Sequence, residues 1–205
     1  MGTKGMVGHS LDGDRRGVYN NMDSYPSVLG RDVLSLVADL NRDHGWDSLR
    51  GKLSTISVVD PVGTPDKTAV DLYGSRFRAG LVSANVRETW SGLLWGLRGV
   101  DCYRRILSGE LQHFPDAYRF IHEPLFCEYA YIMDLDGMKL DLFTGLQGGI
   151  IPGNHQPGLK YAGEAYACKH IGGIPFSHIR DAESAYAVME SLFATQQSLK
   201  TSIGE

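Results

Sequence analysis

The chain has little that would tie it to a membrane, a polynucleotide or an oxidising compartment. Its three cysteines, Cys102, Cys127 and Cys168, are odd in number and widely spaced. That fits reduced thiols in a cytoplasm better than a disulfide framework. No stretch approaches the ~20 apolar residues of a membrane span. The opening MGTKGMVGHSLDG lacks the apolar core of a signal peptide, and Met6 stands where a myristoylation signal needs Ser or Thr. Lys/Arg runs are missing too. The densest basic spots are Arg15-Arg16 and Arg104-Arg105, in a chain of net charge -4, so the basic footprint of a nucleic-acid-binding protein is absent. These absences predict a cytoplasmic protein with neither a nucleic-acid nor a membrane partner.

What is present is an ordinary globular composition, 42% hydrophobic and 21% charged over 205 residues, read as a single domain spanning 1–205. The 25 glycines exceed the usual ~7%. They fall in short clusters and read as tight turns. Residues 3–11 and 15–22 read as two strands joined by Asp12-Gly13-Asp14, a sequence that suits positive φ in a hairpin. Leu29, Val33, Leu36, Val37 and Leu40 then repeat at three and four, one apolar helix face. Ser24 or Ser27 is placed to cap it and Pro26 suits its first turn. KLSTISVVD (52–60) reads as a strand, with Thr64 capping a short helix that starts at Pro65.

VDCYRRILSG (100–109) reads as a helix closed by Gly109, and 113–124 as a connection. The clearest local pattern is 127–143. Tyr129, Tyr131, Met133 and Leu135 alternate, then Met138, Leu140 and Leu142, around a two-residue turn at Asp136-Gly137. A Gly/Pro-rich loop at 145–158, a strand at 160–171 and a terminal helix at 180–199 capped by Asp181 complete the chain. Hairpins at both ends of a helical middle predict an α+β fold, a mainly antiparallel sheet with helices packed on it.

Two segments, MGTKG with YNNMDSYPSVLG (19–30) and LFCEYAYIMDLDGMKLDLFTGLQ (125–147), resemble a family of bacteriophage, actinobacterial and some fungal proteins. Its members open Met-Gly-Thr-Arg-Gly and carry Tyr-Asn-x-x-Asp-Ser-Tyr-Pro. Here Lys4 replaces Arg, and Asn21 stands where His is common. The resemblance implies a special role for Asn20, Asp23, Ser24, Tyr25 and Glu128, and supplies no mechanism.

The junction at 20–25 admits two readings. Asp23 or Ser24 caps the helix, satisfying the free N–H groups there. Or Asn20, Asp23, Ser24 and Tyr25 line a ligand pocket while Ser27 caps. For catalysis, the candidates are Thr3, Asp23 and Glu128. N-terminal nucleophile hydrolysis places the first residue on a strand with its own amine as base, and Asn21-Met22-Asp23 resembles the Asn-x-Asp of some such enzymes. Residue 2 is Gly, however, so Thr3 serves only if Gly2 is removed. Cys127 reads as a buried structural thiol, and Ser24 lacks the Gly-x-Ser-x-Gly elbow.

The seven histidines show no metal-ligand spacing, and His113, His122 and Glu123 would have to converge from a connecting segment to hold a metal. Asp134-Leu135-Asp136-Gly137 lacks the rest of a calcium loop. GLQGG (145–149) has no P-loop Lys-Ser/Thr. His155 is the titratable group of the same loop. No metal and no cofactor are expected. The preferred expectation is a phage or actinobacterial accessory protein that binds a small ligand or a host protein near the 20–25 turn. The alternative is a hydrolase of amide-type bonds.

Overall fold

The computed structural model describes residues 2–74, 88–145 and 167–201. Strand β1 (Gly5–Leu11) turns through Asp12 and Gly13 into β2 (Asp14–Asn20). Leu11 pairs with Asp14, so the loop has two residues, at φ 53 and 80. Two successive positive φ values match the strand twist, and Gly13 meets that demand without a steric cost. A wide turn at Pro26–Gly30 leads into α1 (Arg31–Arg42), followed by α2 (Trp46–Thr55). After β3 (Ser57–Val59) come α3 (Lys67–Tyr73), α4 (Trp90–Leu93), α5 (Val100–Ser108) and β4 (His113–Pro115). The second hairpin is β5 (Tyr129–Asp134) and β6 (Lys139–Thr144). Strand β7 (Lys169–Pro175) and α6 (Ala182–Thr201) follow.

The fold is α+β, as expected. Among the described residues the main sheet has five strands in the order β2-β1-β5-β6-β7. Its pairs are antiparallel except β1 with β5, which run the same way. The two hairpins are therefore joined side by side through their first strands. Period-2 alternation then decides what each face buries. Val7, Leu11, Val18, Tyr131, Met133, Leu140 and Leu142 meet the helices, where Leu34, Val37 and Met189 pack on them. Met6, Ala130 and Ile132 face the other way, onto Ile121, Cys127 and Cys168. Each fully buried aliphatic side chain contributes roughly 1.5–3 kcal/mol.

Several expectations need correction. The window 52–60 begins as helix, since α2 runs to Thr55. Leu49 and Leu53, one turn apart, are buried in α2, and only Ser57–Val59 is extended. Asp66, not Thr64, caps α3, its Oδ1 accepting the Ala69 N–H at 2.7 Å, because its carboxylate sits three residues before that donor. The 113–124 connection contains β4, which pairs in parallel with β3, and a helical turn at Tyr118–His122. The central hairpin loop has four residues, since Asp134 pairs with Lys139 and Asp134 Oδ1 accepts the Gly137 N–H at 2.9 Å. Residues 160–166 of the expected 160–171 strand, and the 145–158 loop beyond Gly145 with His155, lie outside the described residues. Asp181 caps α6 as expected, with Oδ1 accepting the Ser184 N–H at 2.8 Å.

One consequence of the topology positions the site. Strands β1 and β5 start, and β2 and β6 end, at the same end of the sheet. Thr3, Asn20, Glu128 and the 21–25 turn are gathered there.

Candidate functional site

The 20–25 turn is sewn onto the end of the sheet from beneath. Asn20 is the last residue of β2, and its Nδ2 donates to Met22 O at 2.5 Å and to Ser24 Oγ at 2.8 Å. Ser24 is fully buried. Its N–H donates to Thr3 O at 3.2 Å, and its carbonyl accepts from the Tyr131 hydroxyl at 3.0 Å. This close seating depends on Gly5, where a Cβ would stand 2.5 Å from Tyr129 O and 2.6 Å from Ser24 Cβ.

None of the caps expected from the sequence, Asp23, Ser24 or Ser27, is made. The turn at Pro26–Gly30 has no side-chain cap. Its Val28 and Gly30 N–H groups go to Tyr25 O and its Leu29 N–H to Asp23 O, while the Ser24 hydroxyl is engaged with Asn20. Asp23 is exposed, with φ 56, a left-handed conformation that Asp tolerates better than most residues.

The predicted residues thus separate by role. Asn20, Ser24 and Thr3 (3% exposed) are interior stitching. Tyr25 is 45% exposed. Glu128, half-buried, accepts the Lys4 N–H on Oε1 at 3.3 Å, and its own N–H donates to Lys4 O at 2.9 Å. Among the described residues no side-chain hydrogen bond links Thr3, Asp23 and Glu128 to one another.

Tyr25 opens onto a cleft of about 1070 Å³, open mouth included, between the Pro26–Ser27 segment and α6. Tyr129 is part of the cleft lining, its ring centroid 6.1 Å from that of Tyr25 and 5.4 Å from that of Phe193. From α6, Tyr186, Glu190, Ser191 and Ala194 also line it. The Tyr186 hydroxyl donates to Glu190 Oε1 at 3.2 Å. Desolvation, then the Glu190 charge, raises the Tyr186 pKa above its ordinary value, so the phenol keeps its proton as a donor. The Arg31 guanidinium lies 3.9 Å from the Tyr186 ring centroid and is bound to Glu183.

Sequence reasoning missed Tyr186, Glu190 and Phe193. Ala185, Met189 and Phe193, four apart, are the buried stripe of α6. Tyr186 and Glu190 run beside that stripe, which is the signal that would have placed them at the edge of the helix–sheet contact.

The remaining candidates sit elsewhere. Cys102, Cys127 and Cys168 are buried and free. Cys168 Sγ donates to Cys127 O at 3.2 Å. A hydrogen bond with the Cys168 thiol, then burial, raises the Cys127 pKa well above its usual value, and burial does the same to Cys102. Thiols held neutral are poor nucleophiles. His113 Nδ1 shares a hydrogen bond with the Tyr73 hydroxyl at 2.8 Å. Among the described residues no group of three or more His, Cys, Asp and Glu side chains is arranged to hold a metal ion, and no helix is long and apolar enough to cross a membrane. The chain matches no family model, no curated protein and no solved structure.

Proposed function

We propose that the chain is a binding protein, an accessory protein of the phage or actinobacterial kind its motifs resemble. In this reading it works in a reducing compartment and takes a small organic cation in the cleft beside Tyr25. The supporting observation is that cleft's lining, the rings of Tyr25, Tyr129 and Phe193 together with the Glu190 carboxylate. Ring faces attract cations by roughly 0.5–1 kcal/mol at exposed sites, and Glu190 adds a fixed negative charge. The buried hydrogen bonds of Asn20 and Ser24 hold Tyr25 in place without using its phenol, which is the pre-organisation a binding site needs. A protein partner is the second reading. It is favoured by Met22 and Val28, each about half exposed on either side of Tyr25.

NMR titration with phenethylammonium and with uncharged 3-phenylpropanol tests the first reading. Amide shifts should be confined to residues 25, 27, 28, 129 and 186–194. Glu190→Gln should weaken the ammonium roughly tenfold and leave the alcohol unchanged. Equal binding of the two probes, or shifts scattered over the surface, would reject the cation cleft.

A further inference from the structure

A second cleft, lined in part by Asn21 of the same turn and sharing no lining residue with the Tyr25 cleft, has a volume of about 450 Å³ including its mouth. Val18, Pro61, Leu94, Leu97 and Pro115 form its apolar walls, and the Trp95 indole is 41% exposed beside them. Among the described residues the charged group in its lining is Arg98. Its guanidinium carbon lies 4.1 Å from the Trp95 ring centroid. Nε donates to Trp95 O at 3.1 Å, and Nη1 donates to Asn21 Oδ1.

Arg98 differs from the ion-paired arginines of the protein. Arg16, Arg31, Arg42, Arg50, Arg104 and Arg105 each have a carboxylate within 4 Å. Arg98 is half-buried and has no carboxylate partner among the described residues. Burial lowers its pKa, opposed by Tyr19, and a guanidinium stays charged regardless. Of its five N–H donors, two are engaged with Trp95 and Asn21. A partly desolvated cation with donors to spare, at the edge of an apolar hollow, is complementary to an anion carrying an apolar body.

We propose that this cleft binds a small, flat organic carboxylate, its carboxylate on Arg98 and its apolar part against the Leu94, Leu97 and Pro61 walls. Asn21, whose oxygen is taken by Arg98, has its amide N–H groups left as neighbouring donors. Among the described residues the lining carries one positive charge and no second Lys or Arg, which suits a carboxylate monoanion better than a phosphate dianion. The site is separate from the Tyr25 cleft and carries the opposite charge preference.

The test is calorimetric titration of the full chain with 1-naphthoate, uncharged 1-naphthamide and inorganic phosphate. Naphthoate should saturate and bind at least about tenfold more tightly than the amide. Arg98→Gln should erase that preference. Ser91→Trp, a substitution at an exposed lining position, should block both aromatic probes with an unchanged thermal melt, which keeps the test independent of any folding defect in the Arg98 variant. Equal affinity for acid and amide, or a preference that survives Arg98→Gln, overturns the proposal. So does the absence of saturation below about 1 mM. Phosphate displacing naphthoate at equal concentration overturns the carboxylate assignment.

Discussion

Acidifying the protein from pH 7 to pH 5 should cost it about 2 kcal/mol of stability, and His9 should account for most of the loss. His9 lies on the helix-facing side of β1, 4% exposed. Its ring stands edge-on to Tyr103 and Phe114, with centroids 5.7 and 5.2 Å away, and its Nδ1 shares a hydrogen bond with the Tyr103 hydroxyl at 2.9 Å. Burial is the main cause that brings its pKa from 6.5 down to about 4, with Asp116 pulling it up and Arg16 pushing it further down.

The unfolded chain therefore binds a proton between pH 6.5 and pH 4 that the folded chain refuses. Stability is whole above pH 6.5 and falls as pH drops through that window. The full shift of about 2.5 units is worth roughly 3 kcal/mol, of which about 2 kcal/mol has gone by pH 5. His113, whose pKa burial also lowers, adds a smaller effect of the same sign. Urea unfolding at pH 7, 6 and 5, on the protein and on His9→Gln, checks this. The Gln side chain keeps a partner for Tyr103 and does not titrate. Parallel pH profiles for the two proteins would refute the reasoning.

Three further outcomes follow from the geometry. Gly5→Ala should destabilise by about 1–3 kcal/mol in urea unfolding, because its methyl would have to displace Tyr129 O or Ser24. Asp23→Gly should leave stability unchanged or raise it by up to about 1 kcal/mol, and Asp23→Val should lower it, since the left-handed backbone at 23 and not a cap governs the position. Native protein should show no fast reaction with an aromatic disulfide reagent, and urea should release three reactive thiols, because Cys102, Cys127 and Cys168 are buried.

The features legible in the sequence were those written in neighbouring residues. Asp12-Gly13 specifies its own turn, the alternation of 129–142 its own faces, and Asp181 its own cap. The misreadings have local causes too. Ile56, Val58 and Val59 lend a β-branched look to 52–60, while the helical pair Leu49 and Leu53 straddles the edge of that window. The parallel β1–β5 pairing joins residues 124 apart, Gly5 with Tyr129, and nothing adjacent to either strand announces it. The same holds for the clefts. Tyr25 stood out by its neighbours, but Glu190 and Phe193 reach it from the last helix. Arg98 becomes conspicuous only when the acids among the described residues prove to lie elsewhere.

Strand β1 carries a consequence for biosynthesis. It is flanked on both sides in the finished sheet, by β2 and by β5, yet one neighbour leaves the ribosome at once and the other more than a hundred residues later. At about 5–20 residues per second, the nascent hairpin waits roughly 6–24 s with one side of β1 bare. Its N–H and C=O groups are then a template for any passing strand. Slowing translation between Leu11 and Tyr129 lengthens that exposure, so aggregation during synthesis should rise with rare codons in this interval and fall with a holding chaperone.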